Sequence, residues 1–199
     1  QDSEGDGTFM TKVNVDQFVM DSRRREFMWN YRRRHKAAYL LNRLQWYLYP
    51  KLRYVPSFPI HVDYETSSLC NMRCPMCFRP HRADQNDGLM DFDMYRASIG
   101  ECAKNNLYSI RLSWRGEPTI HPMLIEMISC AKKSGVKEVS LLSNGLRLEG
   151  KYAEDFVKSG IDYVSISIDG LYEDYDAIRS TAKFEDTLER LRNLRHLRE

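Results

Sequence analysis

Residues 108–135 read YSIRLSWRGEPTIHPMLIEMISCAKKSG. The first six, Tyr108–Ser113, alternate apolar and polar side chains over strand length. The run then breaks at WRGEP (Trp114–Pro118), and the remainder places Leu124, Met127, Ile128 and Ala131 at helical spacing, with Gly135 as the stop. The unit is one strand, one polar turn and one helix. It recurs on both sides. Upstream, IHVDYET (Ile60–Thr66) has strand character, and DFDMYRASIGECAKNN (Asp91–Asn106) carries Phe92, Tyr95, Ile99 and Cys102 on one helical stripe with Asp91 as N-cap. Downstream, EVSLLS (Glu138–Ser143) precedes a short helix bearing Tyr152 and Phe156 that ends near Gly160. YVSISI (Tyr163–Ile168) is the fourth strand, and FEDTLERLRNLRHL closes as a helix with stripe Phe184, Leu188, Leu191 and Leu194. Four such alternations predict an α/β fold with parallel strands, a partial (β/α) TIM-type barrel of about four βα units.

The chain before this body has another character. Of 30 Lys and Arg and 28 Asp and Glu in 199 residues, residues 1–59 hold 11 basic and 6 acidic, leaving 19 and 22 for the rest. The expected division is therefore a basic helical arm with a proline-rich connector over 1–58 and a core over 59–199. In the arm, RRREFMWNYRRRHK (Arg23–Lys36) interleaves cations with aromatics and continues as helix through AAYLLNRLQWYLY, until Pro50, Pro56 and Pro59 give an extended connector. Such a patch suits nucleic acid or an anionic membrane surface. Its simpler reading is an arm that docks its apolar stripe on the body with arginines facing water. No run of about 18 apolar residues is present, so no membrane span is expected, and the opening QDSEGDGTF lacks the order of a secretory signal. The expected location is cytoplasmic.

Cysteine use points the same way. Three of the five cysteines fall in CNMRCPMC (Cys70–Cys77), too tight and lopsided for a secreted disulfide framework. This loop follows the first strand, WRGEP the second, SNG (Ser143–Gly145) the third and DG (Asp169, Gly170) the fourth. All four lie at carboxyl ends of strands, where a parallel sheet or barrel gathers its ligands. Three thiolates on a short loop suit a soft metal centre, and a [4Fe-4S] cluster held by three cysteines leaves one iron open for an outside ligand. Structural zinc is the rival. It needs a fourth ligand, for which Cys102 and Cys130 are the nominees, although both sit inside predicted helices where a small buried hydrophobe is the ordinary role.

CNMRCPMC followed by RGEP, SNG and SIDG at these intervals resembles the radical S-adenosylmethionine (radical SAM) superfamily over Pro59–Glu199, in particular the subgroup that often carries a SPASM or twitch extension. The resemblance implies that Cys70, Cys74 and Cys77 ligate the [4Fe-4S] cluster. It implies that Gly116 and Glu117 hold the methionyl amine of S-adenosylmethionine, that Ser167 and Arg179 contact its ribose or carboxylate, and that Asn144 shapes the rim. Met76 stands where the family often has an aromatic residue near adenine, a place a thioether can fill. Arg115 replaces the first glycine of the family's GGEP. With Arg79, His81 and Arg82 it favours an anionic substrate, unless these side chains pair with local acids such as Asp84, Asp87 or Glu117. His121 is a candidate acid or base, or a capping residue.

The function so implied is reductive cleavage of S-adenosylmethionine to a 5′-deoxyadenosyl radical that abstracts hydrogen from a peptide or small polar substrate. An electron donor such as flavodoxin or ferredoxin would supply the electron, with no part for nucleic acid. Two other readings stand beside it, a non-catalytic iron-sulfur module for electron transfer or sensing and a zinc-stabilised nucleic-acid adaptor. A complete domain of the resembling type has six βα units. The chain opens on Gln1 and offers four, so the expectation is the amino-terminal portion of a longer enzyme, or a wall completed by a second chain, with the fourth strand left as a bare edge.

Overall fold

The computed structural model describes residues 12–14, 36–81 and 87–198. Residues 23–35 of the basic patch, together with Arg82 and Asp84, lie outside the described residues. In chain order the elements are β1 (Lys12–Asn14), α1 (Lys36–Leu52), β2 (His61–Asp63), α2 (Phe92–Lys104), β3 (Ser109–Arg111), α3 (Leu124–Lys133), β4 (Glu138–Ser143), α4 (Gly150–Lys158), β5 (Tyr163–Ile166), α5 (Tyr172–Ile178) and α6 (Phe184–Arg198). The strands form one sheet in the order β1-β5-β4-β3-β2, and every pair is parallel. The four predicted βα units are thus present, as α/β architecture in a partial barrel-type sheet.

The structure differs from the expectation in several elements: β3 and β5 are shorter than Tyr108–Ser113 and Tyr163–Ile168, and α5 was not expected. Strand β1 was not legible, because three residues, Lys-Val-Asn, are too few to show an alternation. It pairs Val13 with Val164 along the edge of β5, so the fourth strand of the predicted series is not bare. Strand β2 is shorter than Ile60–Thr66, because Thr66 N–H donates back to Tyr64 O (3.1 Å) in a tight turn that leaves the ladder. Helix α2 stops before the Asn pair.

Three helices share one stopping geometry. At the end of α2, Asn106 takes φ of 54° while its N–H bonds Ala103 O and Leu107 N–H bonds Cys102 O. The same two bonds close α3 around Gly135 and α1 around Arg53, both in the left-handed region. Pro50 falls in the last turn of α1, so the helix runs three residues beyond Tyr49 before this motif ends it.

The core lies between sheet and helices. Tyr95, Ile110, Leu112, Leu124, Met127, Ile128, Val139 and Val164 are buried in one contiguous cluster. Tyr95 Oη donates to Met127 O (3.0 Å), giving the one polar atom of that ring a partner and tying α2 to α3. Asp91 caps α2 as expected, its Oδ1 accepting from Met94 N (2.8 Å).

Helix α1 docks at the amino-terminal ends of the strands, opposite the predicted site. Asn42 Nδ2 donates to Ile60 O (3.4 Å), and the Trp46 ring lies 5.6 Å from that of His61. Its orientation corrects the expected arm. Arg43 turns inward, 3.9 Å from Glu138 and over the Tyr39 and Trp46 rings, while Leu41, Leu44 and Leu52 face outward. Among the described residues no helix is long and apolar enough to cross a membrane.

On this same edge Asp162 is buried, and its Oδ2 accepts from Val139 N (2.7 Å) and Lys132 Nζ (2.8 Å). Asp162→Ala leaves a buried backbone N–H of β4 without its acceptor. It is expected to cost about 1–3 kcal/mol in urea unfolding with the slope of the transition unchanged.

Candidate cofactor site

The loops following β2, β3, β4 and β5 meet at one cavity of about 280 Å³. Its wall includes Cys70, Cys74, Cys77, Gly116, Glu117, Asn144, Ser167 and Arg179, so all eight residues nominated from the sequence are brought together. The three thiols are free. His121 does not line it. That ring is buried, with Nε2 2.8 Å from Met90 O and Nδ1 accepting from Met123 N (3.1 Å), the capping and packing role rather than the catalytic one.

The loop after β3 is held by its acid. Glu117 is 3% exposed, and its carboxylate receives four hydrogen bonds. Oε1 accepts from Thr119 N (3.1 Å), Thr119 Oγ1 (2.6 Å) and Ser143 Oγ (2.7 Å), and Oε2 accepts from Asn144 N (2.7 Å). An ionised carboxylate offers about four lone-pair directions, so the protein satisfies this buried charge from its own loops. The Ser-Asn-Gly turn follows from the same contact, since Ser143 Oγ also accepts from Gly145 N (3.0 Å).

Gly116 is required by close approach. A Cβ there would lie 2.2 Å from Ser67 O and 2.5 Å from Leu69 O, and the next residue, Glu117, donates its N–H to Leu69 O (2.7 Å). The segment leading into Cys70 therefore packs directly on the glycine turn. Farther along the cysteine loop, Asn71 Oδ1 accepts from Asn144 Nδ2 (2.7 Å), and Met72 and Cys74 are buried with Tyr175, Ala182 and Phe184. The base of the loop is pinned by Ser68 N–H to Gly88 O (3.0 Å) and Met90 N–H to Thr66 O (2.9 Å). Met72 and Asn71 were not foreseen as anchors, because only the fold brings their partners near.

The cations at the mouth are neutralised. Arg79 pairs with Asp87 (2.5 Å) and donates to Ser68 O, and Arg115 makes a two-pronged pair with Glu65 (2.8 and 2.5 Å). Arg79 and Arg115 thus take the local pairing, with Glu65 as a partner the sequence did not reveal, while Arg82 lies outside the described residues. Arg179 pairs with Asp169 across the last loop. Trp114 and Met76 are exposed large apolar side chains of the wall, at 60% and 57%.

The donor set is sulfur alone. Cys102, a nominee for a fourth zinc ligand, has its sulfur 3.3 Å from Tyr64 Oη in the core, and Cys130 packs against that same core; neither lines the cavity. Among the described residues no group of three or more His, Cys, Asp or Glu converges on a point that would hold one metal ion. The three sulfurs border a space beside the glycine turn, a soft donor set of the kind iron-sulfur centres use. Burial pushes the Cys70 thiol up from its ordinary value, with Glu117 and Cys74 adding to the effect and Met72 N–H and Arg79 opposing it. A metal centre must displace that proton on binding.

A family model described as the Radical SAM superfamily matches residues 64–198. The chain is 34% identical over 112 residues to the tungsten-containing aldehyde ferredoxin oxidoreductase cofactor-modifying protein of Pyrococcus furiosus, covering 56% of this chain and 31% of that protein. It is 33% identical over 119 residues to the probable GTP 3′,8-cyclase of Methanococcus vannielii, covering 60% and 38% respectively. The chain thus spans well under half the length of these relatives. In fold it is similar to Streptococcus suis SuiB crystallised with S-adenosylmethionine, at a TM-score of 0.60 and 14% identity, covering 89% of this chain and 43% of that one.

Three substitutions test how the rim is held. Glu117→Gln puts an amide N–H₂ among four donors and is expected to cost about 2 kcal/mol or more, whereas Glu65→Gln at the partly exposed pair costs at most about 1 kcal/mol. Gly116→Ala drives a methyl into Ser67 and Leu69 and is expected to cost about 1–3 kcal/mol. Urea unfolding of the three variants beside the parent measures each difference.

Proposed function

The chain belongs to the radical SAM superfamily, whose enzymes use a [4Fe-4S] cluster and S-adenosylmethionine, and on that premise we propose that Cys70, Cys74 and Cys77 hold the cluster and that the cavity beside them seats the cofactor. The observation that supports this reading most is the shared wall. Three sulfur donors from one loop and the glycine turn from the next border a single space.

The protein's own groups have distinct tasks in it. Gly116 lets the turn lie against the cysteine loop, so that backbone at 116 and 117 faces the methionyl end. The Glu117 carboxylate orients that backbone, because its four bonds fix the turn to Thr119, Ser143 and Asn144. Asn144 bridges to Asn71 and sets the rim between the two loops. Ser167, whose N–H donates to Ser143 O (2.9 Å), and Arg179 face the cavity from the last loop, where they contact the ribose or carboxylate. Buried Met72 and partly buried Leu142 keep water from the inner wall.

When bound, the cluster and cofactor would supply a one-electron cleavage of S-adenosylmethionine and with it hydrogen abstraction from a peptide or small polar substrate. The electron comes from a reductant such as flavodoxin or ferredoxin.

Anaerobic reconstitution followed by reduction with S-adenosylmethionine present tests the reading. Retained iron and sulfide with release of 5′-deoxyadenosine is the expected result. Retained cluster with intact cofactor would favour a non-catalytic iron-sulfur module, and zinc in place of iron would reject the reading. Cys70→Ala, Cys74→Ala and Cys77→Ala should each lower bound iron severalfold and abolish 5′-deoxyadenosine, whereas Cys102→Ala and Cys130→Ala should keep both.

A further inference from the structure

Arg179 stands at a place that cofactor contact alone does not explain. Its Nη1 lies 3.8 Å from Cys74 Sγ, within reach of an N–H···S bond, and its Nη2 pairs with Asp169. The Nε is buried with no hydrogen-bond partner among the described residues. The guanidinium is therefore held between a carboxylate on one side and a cysteine sulfur on the other.

The surroundings make that charge count. Cys74 is 5% exposed and packed by Met72, Tyr175, Ala182 and Phe184, and the Arg179 side chain is only 15% exposed. A charge so placed acts through little water and is poorly screened by salt. The backbone of Arg179 is fixed as well, its N–H bonded to Tyr175 O (2.7 Å) and its carbonyl accepting from Ala182 N (2.9 Å). Of the other arginines lining the cavity, Arg79 is already committed to Ser68 O and Asp87, and Arg115 to Glu65.

We propose that Arg179 donates a hydrogen bond to the Cys74 thiolate of the loaded cluster, with Asp169 as its counter-ion, and that this pair sets the cluster's reduction potential. The inference rests on the three-cysteine reading above. Hydrogen bonds to cluster sulfurs and nearby charge are among the protein's means of tuning such a centre. The sign follows from electrostatics. One electron taken up makes the cluster more negative, which a neighbouring cation stabilises and a neighbouring carboxylate opposes. Removing Arg179 lowers the potential, and removing the charge of Asp169 raises it.

The test uses the full chain, reconstituted anaerobically without S-adenosylmethionine. The midpoint is read by stepwise reduction with dithionite, which supplies the electron, and by electron paramagnetic resonance of the reduced cluster, with iron and sulfide assayed in each sample. Arg179→Met is expected to shift the reduction equilibrium about tenfold toward the oxidised form, about 59 mV for a one-electron couple, and Asp169→Asn to shift it the opposite way. General loosening of the site would not produce opposite signs. Unchanged midpoints at parental iron content, or shifts of the same sign, overturn the proposal while leaving the cysteine assignment intact. Should Arg179→Met fail to load, Asp169→Asn decides: a raised midpoint supports the pair, and an unchanged or lowered one rejects it. A parent chain that retains no iron and sulfide overturns the cysteine reading and this proposal with it.

Discussion

One buried carboxylate organises the mouth of this sheet. Glu117 accepts from the loop that carries it and from the loop after β4, while its own N–H reaches Leu69 at the entrance to the cysteine loop. A buried charge is costly unless its lone pairs are filled, so Thr119, Ser143 and Asn144 are bound to a common position or the charge is left unsatisfied, and the Glu117 N–H ties the same turn to Leu69. The constraint is mutual. Ser143 cannot turn away, nor can the Gly116 backbone retreat, without exposing the acid to a deficit.

From that constraint the spacing of the cysteines gains its meaning. The loop from Cys70 to Cys77 has little regular structure, and its shape comes from its contacts: Gly116 beneath Ser67 and Leu69, Asn144 on Asn71, and the apolar pocket around Met72 and Cys74. A site on such a loop is rigid only because its neighbours are. The sheet does the remainder, since parallel strands deliver four successive loops to one edge while α1 occupies the other.

Much of this was legible before any coordinates. Strand-helix alternation named the α/β fold because each unit carries its own period, and β4 has the expected bounds, Glu138–Ser143. The three cysteines stood out by residue identity and spacing, four and three positions apart, and Gly116, Glu117, Asn144, Ser167 and Arg179 came from the family resemblance carried by the polar turns at the strand ends. What was hidden depends on partners far along the chain. The Arg115–Glu65 pair removes free charge that the sequence seemed to offer, Asn71 gains its role from Asn144, and β1 exists only through its pairing with β5. In α1 the pattern misdirected: Arg43 reaches Glu138 and two rings of its own helix, while Leu41 and Leu44 face outward.

The central claim is that three sulfurs and one glycine turn leave a single iron open to the cofactor. The Mössbauer spectrum of the chain reconstituted with ⁵⁷Fe, recorded before and after S-adenosylmethionine is added, bears on it most directly. The account predicts that about a quarter of the iron signal changes on addition, as expected when one iron of a cubane lacks a protein ligand. A spectrum in which every iron is unaffected by the cofactor would contradict it.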